Sequence, residues 1–182
     1  MVWLILGVAL WSWSHLLKRI SPAWRASLGD GPAKGLVAAA SLVAIGLMIY
    51  GFGRADTVQL WDPPEFMRHL NNLLMVAAVL LVNLGMSRGV LRTWMRHPML
   101  TAVILWALAH LAVNGDLAAV ILFGGLLAWA VVDMIMINRI EPVWVPPAQG
   151  PVINDMIYGA LSAVLFAIIV YIHEWLGYPV LG

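Results

Sequence analysis

Five histidines carry most of the chemistry this sequence can offer in an apolar setting: His15, His69, His97, His110 and His173. Cysteine is absent from the 182 residues, which removes thiolate metal sites, disulfides and cysteine nucleophiles together. His110 has Trp106 one turn before it and Asn114 one turn after it on the same helical face. Two imidazoles on opposite faces of a porphyrin make a b-type haem site, because neutral nitrogen donors bind iron and apolar helices supply the slot. The metal donors to consider are His110, His69 and His15. A three-histidine zinc site is the other metal chemistry open to them. No Cys-x-x-Cys-His occurs, so covalent c-type attachment is excluded.

Spacing limits how these residues combine. His97 and His110 are thirteen residues apart, about 20 Å along a straight helix, and cannot share one iron. The same reasoning sets His15 and His97 at one depth and His69, His110 and His173 at another. His69 or His173 is therefore expected opposite His110. Asp133 lies about a turn inside an apolar run, where an unpaired carboxylate is costly, and its expected partners are Arg96, His97 or His15. Arg92 and Arg96 can hold a haem propionate or another anionic head group.

The elements that position these groups are apolar helices. Hydrophobic residues make up 63% of the chain and charged residues 10%, against about 25% charge in an ordinary soluble domain. Lipid must cover the excess. Six spans are expected: about 2–17, 35–53, 68–86, 98–113, 117–137 and 155–176. The fold class is thus all-α, a polytopic integral membrane helical bundle in a single domain over residues 1–182. Eight of the ten Lys and Arg residues fall in the first, third and fifth connections, which places both termini on the non-cytoplasmic side. The first span lacks a basic segment before it, and Lys18 and Arg19 follow it, so it reads as a retained span.

Local signals fix the ends. Pro98 suits the first turn of a helix, and Asn114-Gly115-Asp116 is a tight turn whose Asp116 can cap the next one. Asp62-Pro63-Pro64-Glu65 reads as a cap, a helix start and a capping box, and Ser21-Pro22 as the start of a short surface helix. The proline-rich segment 142–151 cannot be helical for long, and Asn154 or Asp155 starts the last span. Most tryptophans, Trp11 among them, lie near predicted span ends as interfacial anchors. Gly124-Gly125 and the small residues of the last span, Gly159 and Ala163, are suited to close helix packing.

Sparse, scattered basic residues argue against nucleic acid as a partner. Phosphate loops, Gly-x-Gly-x-x-Gly, His-Glu-x-x-His and Gly-x-Ser-x-Gly are absent, which lowers the weight of nucleotide use and hydrolysis. The central residues carry a family signature: Arg96-His97-Pro98-Met99-Leu100, Leu105-Trp106-Ala107-Leu108-Ala109-His110-Leu111, Asn114-Gly115-Asp116-Leu117-Ala118, Leu122-Phe123-Gly124 and Ala128-Trp129. This pattern resembles the NnrU family over essentially the whole chain, with Ser14-His15-Leu16, Arg68-His69 and Asp133 in matching places. The resemblance implies a bacterial inner-membrane protein associated with nitric oxide metabolism and denitrification. It also implies a relation to the plastid 15-cis-zeta-carotene isomerases, which bind haem b through histidines. That relation carries ligand roles onto His110 and His15, with His97 as the His-Pro histidine.

Three functional classes follow. One is a haem-dependent oxidoreductase or isomerase acting on a hydrophobic polyene or a small gas. Another is a haem-carrying factor for a respiratory reductase or its assembly machinery. The third is a cofactor-free structural or transport protein in membrane lipid. The cofactor-binding set common to the first two is His110, His69, His15, His97, His173, Trp106, Asn114 and Arg96.

Overall fold

The computed structural model describes residues 1–180 and is helical almost throughout. The helices are α1 (Val2–Ile20), α2 (Pro22–Ser27), α3 (Asp30–Gly53), α4 (Met67–Met86), α5 (Pro98–Val113), α6 (Leu117–Ile140) and α7 (Val152–Trp175). A single 3-10 turn, Leu91–Trp94, stands between α4 and α5. The helices α3, α4, α6 and α7 are each long and apolar enough to cross a membrane. The α5 helix is apolar but has only 16 residues, and α1 carries Ser12, Ser14, His15, Lys18 and Arg19 in its second half.

The chain forms two compact units. Unit 1 comprises Met1–Asp62 and Asn114–Ile140; unit 2 comprises Pro63–Val113 and Glu141–Gly182. In unit 1, α1 packs chiefly on α3, and Gly7 meets Met48 while Gly51 meets Leu4, so the two run antiparallel. The approach is close enough that a Cβ on Gly51 would fall on the Leu4 backbone. Small residues allow such contact where lipid tails compete equally with side chains for apolar surface. On α6, Gly125 likewise meets Val8 of α1, whereas a Cβ at Gly159 would touch nothing within 4 Å among the described residues. In unit 1 the helix-packing glycines therefore include Gly7, Gly51 and Gly125, whereas Gly159 of α7 is not one. Gly51→Val is expected to cost about 1–3 kcal/mol by overpacking, while Gly46→Ala, facing open space, is neutral or better. Thermal unfolding in detergent reads both.

Helix ends follow local chemistry with two exceptions. Pro98 opens α5, and Asp116 caps α6 by accepting from the Ala119 N–H at 2.9 Å. The segment before α4 joins this turn: the Leu60 and Trp61 N–H groups donate to the Gly115 carbonyl at 2.7 and 3.1 Å. The first exception is α4, which starts at Met67 rather than at Pro63. Pro64 disfavours helical geometry at Pro63, and Asp62 instead accepts from the Gln59 amide. The second is α7, which starts at Val152 without a side-chain cap. Asp155 turns outward to the connection after α4.

In its first third, α6 widens into a π-helical turn at Val120–Gly124. This lies just before Gly125, where Val8 presses closest. An extra residue inserted in the helical ladder resets the face presented by the following turns, and such bulges recur at functional sites.

In unit 2, α4 packs most extensively on α5 and next on α7. Gly85 near the end of α4 meets Met99 near the start of α5. Asn83 donates to Ser162 Oγ at 2.9 Å, and Ser87 Oγ donates to Asp155 at 3.1 Å. Both neighbours therefore run antiparallel to α4. Ser162 is the one buried residue of α7, whose apolar faces are otherwise left to lipid.

Candidate functional site

The histidines of unit 2 come first. From the Gly85–Met99 contact, His110 lies eleven residues along α5, about 16 Å toward its end. From the Asn83–Ser162 bond, His173 lies eleven residues along α7, again about 16 Å in the same direction. The two imidazoles thus share a depth to within about one helical turn. His69, on the first turn of α4, is exposed and about 5–7 Å beyond that level. His97 lies just before α5, and its carbonyl accepts from the Thr101 N–H and hydroxyl, both at 2.9 Å.

Trp106 is where the spacing puts it, with its ring centroid 5.2 Å from that of His110. Asn114 directly follows the end of α5 at Val113 and opens the turn that re-enters unit 1. Arg96 donates from its guanidinium to the Glu141 carbonyl, and Arg92 to the Met95 carbonyl at 2.7 Å.

His15 stands in unit 1, amid aromatic rings. Its ring stacks on Trp11 at 4.2 Å and meets Trp129 edge-on at 5.2 Å. One turn further along both helices, Arg19 Nε pairs with Asp133 Oδ1 at 3.0 Å. The contacts Val8 to Gly125, His15 to Trp129 and Arg19 to Asp133 ascend together, so α1 and α6 run parallel. Arg19 is the ion-pair partner that the sequence reading passed over, and Trp11 packs on His15 and Trp129 instead of serving only as an interfacial anchor. The signal was present as Trp11-His15-Arg19 and Trp129-Asp133, each at four-residue spacing.

Both indole N–H groups of this cluster, on Trp11 and Trp129, are buried with no hydrogen-bond partner among the described residues. A buried unmade donor is costly. Trp129→Phe, which deletes the donor and keeps most of the ring, is therefore expected within about 1 kcal/mol of the parent, against about 3–5 kcal/mol lost in Trp129→Ala. Chemical or thermal unfolding of the two variants checks the difference.

Three histidines share one local device. His15 Nδ1 lies 2.9 Å from the Trp11 carbonyl, His110 Nδ1 2.8 Å from the Trp106 carbonyl, and His173 Nδ1 2.8 Å from the Ile169 carbonyl. A carbonyl can only accept, so Nδ1 is the donor, and Nε2 is the nitrogen that a neutral ring would offer to a metal. An imidazole oriented in this way by its second nitrogen is the form in which histidine binds a metal. The donor chemistry therefore fits haem iron. Among the described residues no three His, Cys, Asp or Glu side chains converge to hold a metal ion.

The chain matches the NnrU protein family over residues 3–180. It belongs to the NnrU family. With its apolar, span-length helices, this NnrU chain is a multi-pass membrane protein. No curated protein and no solved structure matches it. Nothing found links it to the carotene isomerases, and membership of NnrU is what the resemblance establishes.

Proposed function

We propose that this NnrU protein binds haem b within the membrane, and that His110 and His173 are the residues that would hold it. The observation that carries the reading is the pairing in unit 2. Two imidazoles at one depth, each fixed by a carbonyl four residues back, come from the two helices that pack on α4. His69, a turn beyond and exposed, is the reserve ligand. Trp106 packs beside His110 and limits its rotation.

All six of the long or apolar helices cross the bilayer in this reading, with both termini outside and the arginine-rich connections in the cytoplasm of a bacterial cell. When bound, haem supplies one-electron chemistry and an iron site for a diatomic gas. The chain's own contribution is to hold the imidazoles, exclude water and set their orientation. The setting is nitric oxide metabolism or the assembly of a respiratory reductase in denitrification, as family membership implies.

The test is purification from cells supplied with iron and haem precursor. A Soret band in the purified protein, or a saturable one on adding haem to the apoprotein, is the expected result. Absence of both rejects the proposal.

A further inference from the structure

The connection between α4 and α5 is held like a built site. The Asp155 carboxylate accepts from Ser87 Oγ, from the Val90 N–H at 2.7 Å and from the Leu91 N–H at 3.2 Å. Asn154 Nδ2 donates to the Arg88 carbonyl at 3.3 Å. Gly89 sits so close to Asp155, and Gly150 so close to the Arg88 carbonyl, that a Cβ at either place would collide. Residues 87–91 are thus held against the start of α7, and the connection they open carries Arg88, Arg92 and Arg96.

None of the three arginines makes an ion pair among the described residues. Arg92 and Arg96 are pinned by backbone carbonyls, which fix the guanidinium without neutralising it and leave most of its five N–H groups for another acceptor. The nearby acids are two. Asp155 spends its oxygens on the Ser87 hydroxyl and backbone N–H groups, and Glu141 pairs with no cation among the described residues. Beside the arginines, Trp94 is 69% exposed, Val143 79% and Val145 78%. Exposed apolar side chains on the same segments as fixed guanidinium groups match an acyl chain attached to a phosphodiester.

We propose that this arginine connection of unit 2 binds the head group of an anionic phospholipid. A topogenic charge needs no fixed geometry, whereas here a carboxylate, an amide and two glycines hold the backbone that presents the charges.

The test measures lipid retained by purified protein exchanged into nanodiscs of phosphatidylcholine containing a minor fraction of phosphatidylglycerol. Each arginine near an anionic surface is worth about fivefold in affinity. The triple variant Arg88→Gln/Arg92→Gln/Arg96→Gln should therefore lower the preference for phosphatidylglycerol by about a hundredfold. The single variants, which serve if the triple does not fold, should each lower it about fivefold. Arg54→Gln/Arg68→Gln should leave it unchanged. Asp155→Asn, which keeps every arginine but loosens the segment, should also reduce it. An unchanged preference in the arginine variants, an equal loss in Arg54→Gln/Arg68→Gln, or an unaltered preference in Asp155→Asn overturns the proposal. Competition by millimolar inorganic phosphate would assign the site to a free anion and overturn the lipid as its occupant.

Discussion

Asp133→Ala should cost unit 1 about 3–5 kcal/mol, the usual penalty when one partner of a buried ion pair is removed. The Asp133 side chain is 9% exposed and that of Arg19 23%, so the guanidinium left behind has little water to turn to. In the low dielectric of a helix interior, desolvation of the orphaned charge outweighs the loss of attraction itself. Asp133→Glu keeps the charge and asks the helices to absorb one methylene; Asp133→Asn keeps the shape and loses the charge. The expected order of thermal stability is parent, then Glu, then Asn, then Ala. Arg19→Ala/Asp133→Ala should recover part of the loss of either single variant, which a double-mutant cycle measures directly. Equal melting temperatures and expression for Asp133→Asn and Asp133→Glu would reject the ionic account.

Asp155→Ala comes next in size. It strips a charged acceptor from two backbone N–H groups and a hydroxyl in one step, an expected loss of about 2–4 kcal/mol. The effect should be local to unit 2 and appear first as faster proteolysis within 87–96. Asp155→Asn retains one acceptor oxygen and should fall between. A variant as resistant to protease and heat as the parent would show that the carboxylate is not what holds the connection.

Much of this architecture was legible because its causes are local. Pro98 fixed one helix start to the residue, and Asp116 its own cap, since both depend on backbone groups within a single turn. The failures have long-range causes. Asp62 and Glu65 have the pattern of a capping box, yet consecutive prolines and a bond to Gln59 delay α4 to Met67. Asp155 has the pattern of a first-turn acid, yet its carboxylate serves a segment more than sixty residues earlier. Pairing between helices was the hardest to read. Arg19 went unnoticed as the partner of Asp133 because nothing in a single strip of sequence says that α1 and α6 lie in parallel register. Depth was readable only in part: the alternation of apolar runs and turns puts His69, His110 and His173 at one level, whereas His69 lies about 5–7 Å beyond the other two.

The central claim is that unit 2 brings two prepared imidazoles to one level for one iron. Haem titration of the parent beside His110→Ala, His173→Ala, His69→Ala and His15→Ala tests it most directly. The prediction is a low-spin spectrum in the parent, no saturable binding in His110→Ala, a five-coordinate or lost spectrum in His173→Ala, and spectra like the parent's in His69→Ala and His15→Ala. A parent spectrum that survives His110→Ala and His173→Ala together would contradict it.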